Sequence, residues 1–267
     1  MTISFIGAGN MASAIIKSVV TSGRIKPCDI FVYDKFEEKA AELSKLGVTV
    51  CKTLSDACAS SNKILLAVKP QDYEALLCDI KDCCSELSCK MFISIAAAIS
   101  CEYICKMLGA DLPVVRVMPN TPVMLGVGAT AISRNSLVSD KEYSAICGLF
   151  AVSGCVVSLD ESLMNSVISV NSSSPVYLYM LAKAMIDGGV GQGLSEKAST
   201  ELVYNALKGS CEMLMKSGKS PDELIRMVAS PGGTTLAAIS SLEENEFYKI
   251  INEAMLACTK RAEELAR

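Results

Sequence analysis

The sequence predicts an α/β protein: a doubly wound parallel sheet with its helices over residues 1–160, then an all-α domain over residues 161–267. Three observations predict it. Short apolar runs alternate with helix-like segments as far as about residue 160. No strand signal occurs from Glu161 onward. The 267 residues are 51% hydrophobic and 20% charged with a mean hydropathy of +0.37, ample for a large core and unlike a disordered chain.

The first element is residues 2–6 (TISFI), a strand that runs straight into Gly7-Ala8-Gly9-Asn10-Met11-Ala12. Gly7-x-Gly9-x-x-Ala12 is the phosphate-binding turn of a Rossmann-type dinucleotide fold, with Ala at the third small position. Gly7 allows the tight turn, Gly9 lets backbone approach a pyrophosphate, and Ala12 keeps the helix close to the strand. The following helix directs its free N–H groups at the phosphates. Residues 29–33 (DIFVY) form the second strand, ending at Asp34. That position, about twenty residues beyond the turn, usually meets the adenosine ribose hydroxyls and favours NAD. Lys35 follows and could instead attract a 2′-phosphate, so NADH and NADPH both stay open.

A surface helix over 35–46, a short strand over 48–51 and a helix over 54–60 come next. Residues 63–68 (KILLAV) are the uninterrupted apolar run expected of a central parallel strand. Pro70 ends it and a helix resumes over 71–80. Strands at 91–95 and 113–117 flank a helix over 100–108. Two more strands, 128–132 and 156–159, bracket a helix over 139–150. Ligands lie beyond the carboxyl ends of such strands. The loops at Gly7–Ala12, Asp34, Lys69-Pro70, Ala96–Ala98 and Met118–Pro122 are therefore candidates to share one crevice.

Beyond Glu161 the expected elements are all helical. Residues 163–186 are apolar nearly all round, interrupted at Asn171-Ser-Ser-Ser-Pro175, and helices follow over 195–216, 221–227, 232–242 and 246–265. A helix apolar on every side must be covered on every side, which predicts dimerisation. The Ala229-Ser-Pro-Gly-Gly-Thr-Thr-Leu236 stretch joins two of these helices. Its Gly-led helix start is either an anion site for a small carboxylate, with the Thr hydroxyls beside it, or a plain Thr-capped turn.

Composition excludes other chemistries. The net charge is −4 with no block of like charges, against a nucleic-acid partner. There is no His, which removes Ser-His-Asp and Cys-His catalysis. The 13 Cys contain no C-x-x-C, so no metal is expected, and they read as small buried hydrophobes in a reducing cytoplasm. The N-terminus lacks a basic region, so no signal peptide is expected. The uncharged run 162–182 carries Asn, Ser and Pro175, which argues against a membrane span.

Together these pieces resemble pyrroline-5-carboxylate reductases over essentially the whole length. The matching segments are Phe5-Ile-Gly-Ala-Gly-Asn-Met-Ala12, Ala67-Val-Lys-Pro-Gln71, Ser94-Ile-Ala-Ala97, Arg116-Val-Met-Pro-Asn-Thr-Pro122, Asp187-Gly-Gly-Val190 and Ser230-Pro-Gly-Gly-Thr-Thr235, with Pro221 and Leu242-Glu243 around the last. The resemblance implies hydride transfer from NADPH or NADH to the imine carbon of 1-pyrroline-5-carboxylate, giving L-proline, in a homodimer or a larger oligomer of dimers. It implies that Ile6, Gly7, Ala8, Gly9, Asn10, Met11, Val68, Lys69 and Ala97 hold the cofactor, with Asn120 near the nicotinamide end. It implies that Glu161, Thr234 and Thr235 face the substrate. The residues themselves agree, with the backbone amides of Gly233, Thr234 and Thr235 expected to hold the carboxylate and the Thr235 hydroxyl expected to be catalytic at the ring nitrogen. Two readings remain beside it: a reductase of another cyclic imine or small oxo acid, and a catalytically silent nucleotide-binding paralogue. The departures are Ser172, Ser174 and Ala98, each where the family usually has Gly.

Overall fold

The computed structural model describes residues 1–266. By contact it divides into two units, one of Met1–Ser173 together with the chain from Cys258 onward, the other Ser174–Ala257.

The first unit is built on one eight-stranded sheet: β1 (Ile3–Ile6), β2 (Ile30–Tyr33), β3 (Thr49–Val50), β4 (Lys63–Leu66), β5 (Met91–Ser94), β6 (Val114–Pro119), β7 (Gly128–Arg134) and β8 (Gly154–Ser158). The order is β3-β2-β1-β4-β5-β6-β7-β8, which contains the dinucleotide-binding order in its first six strands. The order reverses between β1 and β4. Seven-residue β7 departs from the expected all-parallel sheet, because it runs antiparallel to β6. The link from β6 to β7 is a short 3-10 turn, Thr121–Leu125, too brief for a crossover helix, so the chain has to return antiparallel. The helix α6 (Asp140–Phe150) then restores a parallel β7–β8 pair.

Both faces of the sheet are covered, and the side-chain period of two shows it. Leu65 of β4 joins a core with Ile15, Ile16 and Val19 of α1 (Asn10–Thr21) and Ile146 and Phe150 of α6. Its neighbours Ile64 and Leu66 join the opposite core, with Leu77 and Ile80 of α4 (Tyr73–Cys83) and Ile104 and Leu108 of α5 (Cys101–Leu108). All three β4 residues are fully buried, each contributing about 1.5–3 kcal/mol by leaving water. Helices α2 (Glu37–Leu43) and α3 (Leu54–Ser60) complete the unit's first half; Thr53 and Asp56 form a capping box on α3. After β8 come α7 (Met164–Val167) and a π turn, Ile168–Ser172. The side-chain amide of Asn171 in that turn donates to Met118 O (2.8 Å) and Ala129 O (3.0 Å), bridging β6 and β7.

The second unit is helical: α8 (Ser174–Gly191), α9 (Glu196–Lys216), α10 (Pro221–Val228), α11 (Thr234–Glu244) and most of α12 (Phe247–Leu265). Helices α8 and α9 approach closely at Gly189, where a Cβ would lie 2.7 Å from Ser199 Oγ. Only Pro175 and Ala182 of α8 are buried, whereas Val176, Leu178, Tyr179, Met180, Leu181, Met185 and Val190 are exposed. No described helix is long and apolar enough to cross a membrane.

Candidate active site

The turn after β1 is shaped by what a side chain would meet there. Gly7 has φ +106°, and a Cβ on it would lie 2.7 Å from Ala67 O and 2.8 Å from Ala67 C. Those are backbone atoms of the adjoining strand end and cannot yield, so only Gly fits. Gly9 differs: a Cβ there would meet nothing within 4 Å. Its backbone borders open space, which is what close approach of a pyrophosphate requires. Gly9 is the N-cap of α1 and provides no side-chain cap, so the first-turn N–H groups face a ligand-sized space with their dipole. Ala12 is buried in the core beside β1, which keeps α1 near the strand. The chain's own residues thus fit a dinucleotide.

Asp34 closes this turn from the end of β2. Its Oδ2 accepts the N–H of Ala8 (2.7 Å) and its Oδ1 the N–H of Phe36 (2.9 Å). The carboxylate therefore braces the phosphate turn, a role sequence spacing alone did not disclose. Lys35 pairs with Asp72 at 3.5 Å on the surface, a contact of little energetic weight. A cavity of ≈ 400 Å³ lies along these elements and is lined by Ile6, Gly7, Gly9, Asp34, Val68 and Lys69 among others. It sits at the carboxyl ends of β1 and β4, where the strand order reverses. Six of the expected cofactor residues are thereby brought together. Ala8 joins through its bond to Asp34, and Asn10 and Met11 open α1.

A second cavity, ≈ 240 Å³, is lined by Pro70, Gln71, Ala97, Ala98, Ile99 and Cys258, among others. Ala98 has φ +64°, a left-handed conformation in a residue with a Cβ. Asn120 lines neither cavity; its Oδ1 accepts the N–H of Ala129 at 2.9 Å, steadying the β6–β7 link.

Glu161 is half-buried and already engaged. Its Oε1 accepts the N–H of Cys101 (2.7 Å) and pairs with Arg116 Nη1 (3.2 Å). Arg116 Nη2 donates to Asn165 Oδ1 at 3.3 Å. Burial, and then the adjacent Glu161 carboxylate, push the Cys101 thiol far above its ordinary range, so it stays neutral. Burial likewise raises the Tyr73 hydroxyl; Ser94 Oγ, 2.8 Å away, opposes that shift. Glu161 was expected at the site, but its pairing with Arg116 and with the Cys101 N–H was missed in the sequence. Its signal was a lone Arg in the apolar run PVVRVMP.

Gly233, Thr234 and Thr235 lie in the helical unit at the start of α11. Gly232 has φ +69°, and Gly233, the N-cap, gives no side-chain cap. Thr234 and Thr235 occupy the first helical positions, so the Thr-capped alternative does not apply. A Cβ on Gly233 would lie 2.5 Å from Ser230 Oγ. The Gly233 N–H, expected to meet a carboxylate, instead donates to Ser230 O (3.0 Å), and the Leu236 N–H to Gly233 O (3.2 Å). The N–H groups left for an anion are therefore those of Thr234 and Thr235, with Thr235 half-buried.

The sheet order, the phosphate turn and the cavity at the switch point define a Rossmann-type oxidoreductase that uses NAD(P)H. Comparison with known proteins narrows the class. A family described as pyrroline-5-carboxylate reductase dimerisation matches residues 161–265, and one described as NADP oxidoreductase, coenzyme F420-dependent, matches residues 2–98. The pyrroline-5-carboxylate reductase of Escherichia coli (strain K12) is 32% identical, the alignment covering 99% of this chain and 98% of that protein. That of Pseudomonas aeruginosa is 34% identical over 99% of this chain and 96% of that protein. A solved structure of a Plasmodium falciparum pyrroline carboxylate reductase with NADP bound superposes with a TM-score of 0.89 at 28% identity, covering 100% of this chain and 98% of the other. The chain belongs to the pyrroline-5-carboxylate reductase family.

Proposed function

We propose that this chain reduces 1-pyrroline-5-carboxylate to L-proline with NADPH or NADH, the last step of proline biosynthesis. The observation that carries the reading is kinship over essentially the entire chain, with both glycine-led helix starts retained.

When bound, the dinucleotide supplies the hydride. The chain's own residues hold and orient. Backbone from Ile6 to Met11 cradles the pyrophosphate, Asp34 holds the turn and faces the ribose, Val68, Lys69 and Ala97 line the way, and Asn120 lies toward the nicotinamide end. The N–H groups of Thr234 and Thr235 take the substrate carboxylate, while Gly233, its own N–H spent on Ser230 O, is the bare cap that leaves them open. Glu161, one oxygen already committed, turns the other to the substrate. The Thr235 hydroxyl sits against the ring nitrogen, where a proton is needed as hydride reaches the imine carbon. Positioning supplies most of the rate enhancement. On this reading residues 1–160 form the dinucleotide domain and 161–267 the substrate and dimerisation domain. The protein works as a homodimer, or an assembly of dimers, in the cytoplasm.

Thr235→Ala is expected to lower turnover about a hundredfold, by loss of a hydrogen bond made at the reacting centre, while NADPH affinity changes less than about twofold. Steady-state kinetics with a direct nucleotide titration measures both. Unchanged turnover removes Thr235 from the mechanism. Rescue of a proline auxotroph tests the function itself, because a silent nucleotide binder cannot supply proline.

A further inference from the structure

The turn between β5 and α5 is pinned at both ends and strained in the middle. At its start, Ser94 Oγ accepts the N–H of Ala96 (3.3 Å), and Tyr73 Oη lies 2.8 Å from that same Oγ and donates to Leu66 O (3.1 Å). At its end, Cys101 is the first residue of α5, where a backbone N–H has no partner within the helix. Glu161 Oε1 supplies that partner at 2.7 Å. Between them Ala98 is held at φ +64°, and Ala97, Ala98 and Ile99 line the ≈ 240 Å³ cavity.

What fixes Glu161 is Arg116. All six residues of β6 are buried, and the Arg116 side chain is only 6% exposed. Its Nη1 meets Glu161 Oε1 at 3.2 Å and its Nη2 meets Asn165 Oδ1 at 3.3 Å. Its Nε is buried with no partner among the described residues, so the two Nη groups make all of its hydrogen bonds. A guanidinium is kept out of water at such a position only if its partners are held in fixed geometry. The fork, the carboxylate and the helix N–H form one continuous chain from β6 to the cavity-lining turn.

We infer that Arg116 is a positioning residue for dinucleotide binding: acting through Glu161 it anchors the first N–H of α5 and thereby sets the Ala96–Ile99 turn against the bound cofactor. This rests on the reading above that Ala97 contacts the dinucleotide. Glu161 then serves two masters, one oxygen for the turn and one for the substrate, so the two binding events share a single buried brace.

The test uses the full-length protein and a pair of variants at Cys101. Cys101→Pro removes the N–H yet suits the first helical position, and Ser100 already has the extended backbone (φ −80°, ψ 158°) that must precede Pro. Cys101→Ser keeps the N–H. NADPH dissociation constants are measured by fluorescence titration without substrate, at a temperature where circular dichroism shows every variant folded. The Pro variant is expected to bind at least tenfold more weakly than the Ser variant. Arg116→Lys, which keeps the charge but loses the fork, is expected to bind about tenfold more weakly than the parent and to show the change in KM for NADPH more than in kcat. Equal affinities for the Pro and Ser variants overturn the inference. So does an Arg116→Lys protein that melts earlier but binds NADPH like the parent, since Arg116 would then only stabilise the fold. If Arg116→Lys fails to fold, the Cys101 pair still decides. A parent protein that binds NADPH but leaves the imine untouched refutes the functional reading alone, because the binding arm still tests the brace.

Discussion

Ala98 shows how one methyl group can mark a functional turn. At φ +64° an L-residue pays for the clash of its Cβ with neighbouring backbone, about 1–2 kcal/mol, whereas Gly does not. The family resemblance leads one to expect Gly here, and Ala98 is nonetheless buried and held in the left-handed form. The surrounding bonds at Ser94 and Cys101 over-determine the turn and impose the strain. Ala98→Gly is therefore expected to stabilise the protein by about 1 kcal/mol, the relief of strain exceeding the added freedom of the unfolded chain. Scanning calorimetry should show a rise of roughly 2–4 °C in melting temperature; a fall would mean that the turn is unstrained. Ser172, another departure from Gly, makes a contact of its own, donating to Pro119 O at 3.2 Å. Its side chain joins Asn171 in tying the π turn to the sheet rather than crowding either cavity.

At the scale of elements, two helices begin at an uncapped glycine, and the reason for the glycine differs. At Gly7, two residues ahead of α1's cap, the obstacle to a side chain is backbone of the next strand, with φ +106° in addition. At Gly233 the nearest obstacle is a serine hydroxyl, which can rotate away, and the backbone Ser230 O next to it stands off at 3.1 Å, so a shift of a few tenths of an ångström suffices. Gly7→Ala should therefore lower the melting temperature by several degrees, from a cost of about 1–3 kcal/mol for overpacking, and abolish nucleotide binding. Gly233→Ala should leave NADPH affinity and melting nearly unchanged while raising KM for the imine acid several-fold. Nucleotide titration and substrate kinetics on the two variants check the contrast, and the same defect in both would refute it. These starts were legible in the sequence because glycine spacing is a local signal. The strands were legible for a similar reason: KILLAV and MFIS are too apolar to sit anywhere but between two layers of helix. The antiparallel β7 was not legible, because strand direction depends on the length of the connection rather than on composition. Nor was the Arg116–Glu161 pair, whose partners are 45 residues apart in sequence. No periodicity links them; only the sheet and the turn after β8 bring them together.

For the whole molecule the question is what covers α8. A helix in a folded unit normally shows water one polar face, but this one exposes Tyr179 (62%) and Met180 (67%) alongside Val176, Leu178, Leu181 and Met185. Four consecutive residues, 178–181, point in successive directions round the helix, so no single neighbouring element could bury them all. Burying each large apolar side chain contributes about 1.5–3 kcal/mol, and half a dozen from each of two chains exceed the roughly 4–15 kcal/mol that association costs. A second copy is the natural cover, since the match to a dimerisation family spans these residues. Light scattering behind size exclusion should give a dimer or a multiple of one, and the melting temperature should rise with protein concentration. The double variant Leu178→Asp/Met180→Asp should shift the species to smaller mass and abolish turnover, yet keep NADPH binding, because every residue lining the ≈ 400 Å³ cavity belongs to the other unit. A parent protein that runs as a clean monomer at micromolar concentration would leave α8 bare in water, and the energetic argument for a homo-oligomer would fail with it.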